Sequence, residues 1–375
     1  MTGQQPDGFN PTEARHGEAR RRPHRLRALS LAPAAQAWLE RTRSARVLHV
    51  FERACNLASP DGEILALVGQ EVGAGPFSVV VEADSALPGG RLDFSEWVDA
   101  DAMVTVGSGK LNAGPLAVDT RQAMLWNPRP EWERLRGRPD ALKAHLPTLR
   151  GLLVSHAPAE SLAALIANRD AQSDSGEGLD VGRELRCLDV STPPRLHRPT
   201  PTPALPLKGG GSTPLSKRLS LLSAPADRLL LQRRFVEAAR RPAAALCGGI
   251  AAGDVEACRE AAGALAGLGG GLTPAGDDFL LGALYALWAT RPSAQAAALA
   301  EAIAGSAIPR TARLSAAWLK AAARGEAGQP WHTLVGALAA DDSRVLDRAV
   351  HGILSVGHTS GADALAGFVL ALGQS

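Results

Sequence analysis

The sequence predicts an α+β protein, with an N-terminal, mainly antiparallel β module packed on a larger C-terminal α-helical domain. Short β-branched runs punctuated by Gly, Pro and Asp fill the stretch from Val47 to Trp126, and Ala/Leu/Gly-rich stretches of helical period fill the chain from about residue 225 onward. A Pro- and Gly-rich tract, "STPPRLHRPTPTPALPLKGGGSTP", lies between them. At 375 residues the chain is long enough for two cores rather than one.

Residues 1–27 are polar, Arg-rich and aperiodic, and read as a disordered leader. "EARRRPHRLRALSLAPAAQAWL" loosely resembles a twin-arginine export signal, but Pro33 and the shortness of its apolar part argue against export, so a cytoplasmic location is expected. A short helix is expected from Leu29, in "LAPAAQAWLERTR". Five or so strands follow in "RVLHVFERACNL", "GEILALVGQ", "PFSVVVEA", "AMVTVGSGKLNAG" and "PLAVDT". Helices in "EWERLRGRPDALKAHLPTLRGLLVSH" and "PAESLAALIANR" complete a β-rich module over 28–169, and 170–214 reads as a flexible insertion. From 215 to 375 a helical domain is expected, with helices at about 225–247, 253–267, 274–290, 293–305, 309–324, 329–340, 342–354 and 360–372. Gly282, Ala286, Gly367 and Ala371 would let helix backbones approach closely.

Composition excludes several function classes. The formal charge of +2 with no clustered basic stripe, and an aromatic content of 4%, argue against a nucleic-acid surface. No run of about 18 apolar residues offers a spanning helix. Cys55, Cys187, Cys247 and Cys258 have neither a CxxC nor a metal-like spacing, and read as reduced thiols.

The chemistry concentrates in "GLGGGLTPAGDDFLLG". Thr273 is suited to N-cap a helix, with Pro274 at its first position. Gly276 would then stand third in the helix, at a cost of up to about 1 kcal/mol relative to Ala, so something other than helix stability favours it. A turn holding Gly269 and Gly271, followed by open amides, makes a cradle for an anion. Asp277 and Asp278 would repel a phosphate. They fit a bridging cation such as Mg²⁺, or the N–H₂ of an amide or carbamoyl group, or simply the helix dipole, and the residues leave these open. No standard nucleotide loop is present: GxxxxGK[ST] is absent and no GxGxxG follows a strand.

The pattern G-x-D-x-L-x-G recurs near the C-terminus. Gly276, Asp278, Leu280 and Gly282 are echoed by Gly361, Asp363, Leu365 and Gly367 in "VGHTSGADALAGFVLAL". The echo predicts a pseudo-symmetric helix pair whose N-termini converge on one site. His358, Thr359 and Ser360 precede the second copy; His358 is a candidate ligand or proton donor, and Ser360 with Asp363 also satisfies an S-x-x-D cap. A Ser-His-Asp hydrolase is disfavoured, because no GxSxG elbow is present. Weaker candidates are the "GSGKLNAG" turn with Gly107, Gly109 and Lys110, the pair Arg310 and Arg313, and His49 with Asn56.

Taken with "HVFERACNL" and "LAVDTRQAMLWNP", the two glycine motifs resemble a bacterial family of proteins of unknown function that includes the AllH-type subunit of oxamate carbamoyltransferase. The resemblance runs from about residue 29 to 372, the insertion excepted. Gly270 stands where proline is common in the family, and "HVF" where it tends to read "HSVF". The resemblance implies conversion of oxamate and carbamoyl phosphate to oxalurate and phosphate in ureide nitrogen catabolism. It also implies two partner subunits, one similar to acyl-CoA synthetase subunits, and a small anionic substrate. A carbamoyltransferase subunit, a non-catalytic acid-binding or scaffold subunit and a metal-assisted hydrolase using the aspartates are the three functions to separate.

Overall fold

A computed structural model of the chain describes residues 24–82, 92–167 and 225–374, the side chains of 225–233 excepted. The expected insertion at 170–214, Cys187 and the first 23 residues lie outside the described residues. The chain divides into two compact units, one running to Trp126 and the other taking in 73–76 and everything from Asn127 on. The α+β class is thus as the sequence predicts.

The first unit is a closed β-barrel. Its strands are β1 (His24–Leu31), β2 (Ser44–Val50), β3 (Ala54–Ala58), β4 (Ile64–Gly69), β5 (Ser78–Glu82), β6 (Met103–Gly107), β7 (Lys110–Ala113), β8 (Leu116–Asp119) and the two-residue β9 (Met124–Leu125). They run in the order β5-β4-β3-β2-β6-β7-β8-β1-β9, and β1 also pairs with β5, so the sheet closes on itself. Most pairings are antiparallel; β4–β5, β1–β8 and β1–β9 are parallel. Helix α1 (Pro33–Arg41) and the single turn α2 (Phe94–Trp97) accompany the strands. Inward residues such as Leu26, Val47, Leu57, Leu67, Val79, Val104, Leu111 and Val118 form one core.

Two of the five expected strand runs are hairpins. "RVLHVFERACNL" reverses at Phe51–Arg53 between β2 and β3, and "AMVTVGSGKLNAG" turns at Ser108 and Gly109. Both turn residues have positive φ, 52° and 72°, the pair of dihedrals that a two-residue hairpin loop matched to strand twist requires. The expected leader also ends too late. Residues 24–27 belong to β1, where Arg25 and Arg27 face solvent and Leu26 and Ala28 face the core, so the helix begins at Pro33 rather than Leu29.

The second unit is helical: α3 (Trp132–Arg136), α4 (Pro139–His156), α5 (Pro225–Ala252), α6 (Val255–Leu265), α7 (Ala275–Thr290), α8 (Ser293–Ala307), α9 (Arg313–Ala323), α10 (Gln329–Ala340), α11 (Ser343–Leu354) and α12 (Ser360–Leu372). Helices α3 and α4, grouped by chain order with the β-rich stretch, bury Trp132, Leu135, Leu149 and Leu153 in the helical core. α7 and α12 are buried on nearly every face, as helices apolar all round must be. At the far end of α7, the Arg136 guanidinium donates to the Trp288 carbonyl (2.7 Å) and to Ser293 Oγ (3.0 Å), placing a cation at the negative end of the helix dipole. Alongside, Tyr285 lies between the rings of Trp132 and Trp331, and Trp331 meets Phe368 of α12 edge-on.

Helices α7 and α12 cross backbone to backbone. A Cβ on Gly282 would lie 1.7 Å from the Ala364 carbonyl oxygen, and one on Gly367 would lie 2.0 Å from that of Phe279. The two contacts are equivalent: Gly282 matches Gly367, and Phe279 matches Ala364, at the offset that relates the two motifs. Any side chain at either glycine forces the helices apart. Gly282→Ala or Gly367→Ala is expected to destabilise the chain by more than about 3 kcal/mol in urea unfolding. Gly305→Ala, in α8 with open space where its Cβ would lie, is expected to raise stability by about 0.5–1 kcal/mol.

Candidate functional site

The two glycine-led helix starts meet. Thr273 Oγ1 and Ser360 Oγ are 2.9 Å apart, joining the turn before α7 to the first residue of α12. α7 and α12 therefore leave one point side by side, and their positive dipole ends adjoin. Asp278 and Asp363 occupy equivalent positions in the first turn of each helix and are buried.

Local capping is not what organises these starts. Pro274, not Thr273, is the N-cap of α7, and its side chain caps nothing; Gly276 is consequently the second helical residue. Thr359 is the N-cap of α12, so Ser360 is already helical and the S-x-x-D cap is not formed. In both places the hydroxyls turn to tertiary partners: Thr273 and Ser360 bond each other.

The glycines serve close packing at their own positions. A Cβ on Gly276 would lie 2.0 Å from the Leu265 carbonyl oxygen, and one on Gly361 would lie 1.8 Å from that of Ile353, so each helix start is pressed on the end of a preceding helix. Their amides are engaged too: Gly276 donates to the Leu268 carbonyl (2.8 Å) and Gly361 to that of Val356 (3.0 Å). The expected cradle of open amides therefore does not extend to these two N–H groups. Gly269 and Gly271 have φ of 116° and 100°, the left-handed region that glycine tolerates; at Gly269 a Cβ would lie 2.9 Å from the Ala275 nitrogen, so the loop folds closely over the helix start.

The three carboxylates differ. Asp277 is a clamp: Oδ1 accepts from the Gly267 amide (2.9 Å) and Oδ2 from the Thr311 hydroxyl, tying the glycine loop and the turn before α9 to α7. Burial raises its pKa, and the bonds from Thr311 and Gly267 oppose the rise. Asp363 accepts the Leu162 amide at Oδ1 (2.6 Å), while its Oδ2 is buried without a partner. Asp278 Oδ2 is likewise buried and unpartnered. Burial pushes Asp363 up to about 7, against the bonds from Leu162 and Thr359. Burial, then the charge of Asp363, pushes Asp278 well above the ordinary carboxylate range, against the hydroxyls of Ser360 and Thr273. Burial thus shifts both carboxyls toward the protonated form.

His358 is exposed in the loop before α12, next to Gly357, and Thr359 is half-buried. Thr311 and Leu162, which hold Asp277 and Asp363, carry no motif and come from distant segments; only the fold identifies them. Arg310 donates back to the Ser306 carbonyl within its own turn (2.5 Å), and Arg313 opens α9. His49 and Asn56 face each other across β2 and β3, and burial lowers the His49 pKa. Cys55, Cys247 and Cys258 are buried and in no disulfide, and burial holds the Cys55 thiol at about 12 and the Cys258 thiol at about 11, so these two stay protonated. Among the described residues no three His, Cys, Asp or Glu side chains gather closely enough to hold a metal ion, and no helix is long and apolar enough to cross a membrane.

Two family models match the chain. That of the oxamate carbamoyltransferase subunit AllH covers residues 265–372, which contain both glycine motifs and the α7–α12 crossing. That of the AllH family N-terminal domain covers 27–125, the barrel. The chain belongs to the AllH family. Membership implies a subunit of oxamate carbamoyltransferase, and so a multi-subunit complex. No curated protein and no solved structure matches it significantly. The C-terminal match opens at Leu265, the residue whose carbonyl packs on Gly276, and ends with α12.

The raised carboxylates make stability depend on pH with a definite sign. An acid whose folded pKa exceeds its unfolded value binds more protons when folded, so stability falls as pH rises from about 4 through the folded pKa. For Asp363, raised to about 7, the loss is on the order of 4 kcal/mol. Asp363→Asn keeps an acceptor for the Leu162 amide, and is expected to flatten the decline in the urea midpoint between pH 5 and pH 8.

Proposed function

We propose that this AllH-family chain binds the carbamoyl-bearing substrate at the adjoining starts of α7 and α12, in a complex that interconverts oxamate plus carbamoyl phosphate with oxalurate plus phosphate during ureide nitrogen catabolism. The observation carrying this reading is the pair of buried carboxylates, Asp278 and Asp363, each with an oxygen that lacks a hydrogen-bond donor. An amide or carbamoyl N–H₂ supplies such donors, and burying the oxygens without them is costly.

In transfer, the oxamate nitrogen attacks the carbamoyl carbon, the bond from that carbon to the phosphate oxygen breaks, and the nitrogen gives up a proton. The ionised member of the pair accepts from the attacking N–H₂ and takes that proton. The protonated member donates to the carbamoyl oxygen, which becomes negative in the tetrahedral transition state. Adjacent helix dipoles favour the same developing charge. Thr273, Thr359 and Ser360 line the polar approach, Gly269 and Gly271 shape the loop over it, and His358 at the exposed rim meets the departing phosphate. Asp277 positions the loop through Gly267 and Thr311. The required partners are two further subunits.

A scaffold role is the second reading, favoured by the engaged amides of Gly276 and Gly361 and by the structural bonds of Asp277. Reconstitution with partner subunits separates the two. Asp278→Asn and Asp363→Asn are expected to lower kcat by roughly 100-fold or more with the assembly intact by size-exclusion chromatography, and His358→Ala by roughly tenfold. Full turnover in both Asn variants, or loss of assembly in place of turnover, would establish the scaffold reading. Turnover abolished by a chelator and restored by Mg²⁺ would instead place the carboxylates on a cation.

A further inference from the structure

The barrel unit has a cavity of about 470 Å³ between α1, the β6–β7 turn and the Thr120–Leu125 segment, a volume within the range of small-molecule sites. Three cations line it: Arg43, Lys110 and Arg121. Neither Arg43 nor Lys110 has a carboxylate within ion-pair distance among the described residues, and Arg43 Nη1 donates only to backbone carbonyls of Glu40 and Thr42. Arg121 is held in a fixed direction. Its Nε donates to Asp119 Oδ1 (2.9 Å), its Nη2 to Asp119 Oδ2, and its aliphatic stem lies where a Cβ on Gly109 would be, 2.3 Å from Cγ. The Gly109 turn thus does more than reverse the chain: it makes room for an oriented guanidinium. The lining carboxylate, Glu40, accepts from Gln36 Nε2 (3.0 Å). Leu39, Val106 and Leu125 supply apolar wall, and Leu125 is 62% exposed.

We propose that this cavity binds a phosphate-bearing small molecule, its phosphate among Arg43, Lys110 and Arg121 and its apolar body on Leu39, Val106 and Leu125. Three cations against two carboxylates, Glu40 and the Asp119 that holds Arg121, leave the cavity net positive and favour an anionic phosphate, with the Nη1 of Arg121 and the Nη2 of Arg43 left to donate to its oxygens. The apolar wall distinguishes an organic phosphate from the inorganic ion. Every lining residue belongs to the barrel unit, and neither Asp278 nor Asp363 is among them.

Calorimetric titration of the full chain with phenyl phosphate, inorganic phosphate and benzoate tests this. Phenyl phosphate is expected to bind saturably and more tightly than either of the others, with affinity falling as salt rises. The exposed double variant Arg43→Ala/Lys110→Ala is expected to lose roughly tenfold or more in affinity for phenyl phosphate, and Leu125→Ser to weaken phenyl phosphate but not inorganic phosphate. Asp278→Asn is expected to bind as the parent does. Equal binding of benzoate and phenyl phosphate, no saturable heat with phenyl phosphate, or unchanged affinity in the double variant would overturn the proposal.

Discussion

The contact between the α7 and α12 backbones is the constraint on which the helical unit depends. Gly282 against the Ala364 carbonyl and Gly367 against that of Phe279 set two buried helices closer than any side chain permits. Once they are that close, the rest of their first turns is determined. Thr273 reaches Ser360, and Asp278 is brought within the field of Asp363. Two parallel helix starts place positive dipole ends together, and a carboxylate in each first turn is the natural complement. The crossing therefore produces both the closeness and the polarity of the site.

The same crossing gives the two carboxylates their proton affinity. Neither aspartate would hold a proton near neutrality at a solvated helix start, where dipole and water both favour the charged form. Burial by surrounding helices reverses that preference, and a second carboxylate at the equivalent position strengthens it for Asp278. Asp277, one residue away, is raised by burial too, but Gly267 and Thr311 bond its two oxygens and oppose the rise. Adjacent residues of one motif thus take different tasks, one fastening loops and the other left with an unsatisfied oxygen.

Much of this was legible in the chain. The repeated G-x-D-x-L-x-G pattern pointed to a convergent helix pair, and the helix positions from residue 225 onward follow the apolar period closely. What failed was reading each glycine and hydroxyl by its local rule. Thr273 looks like a cap until Ser360, far along the chain, competes for its oxygen, and Gly276 looks like an opened amide until the Leu265 carbonyl is seen against it. β1 was hidden differently. Its alternating period is present in "HRLRAL", but Arg25 and Arg27 continue an Arg-rich tract and mask the buried Leu26 and Ala28. Leu162 and Thr311 had no local signal, because their importance comes only from the aspartates they meet.

Closure of the barrel has a consequence for the order in which the chain can fold. β1 is made first, yet its neighbours are β5, β8 and β9, so it has no strand to pair with until residues beyond Glu82 and then Asp119 have been made. The strands between them form hairpins with near neighbours, β2 with β3 and β6 with β7. Local hairpins can thus assemble early while the opening strand waits, and its insertion between β5 and β8 is the long-range step that loop-closure entropy makes slow. During synthesis, the apolar face of β1 is left without its sheet longer than any other strand of the barrel.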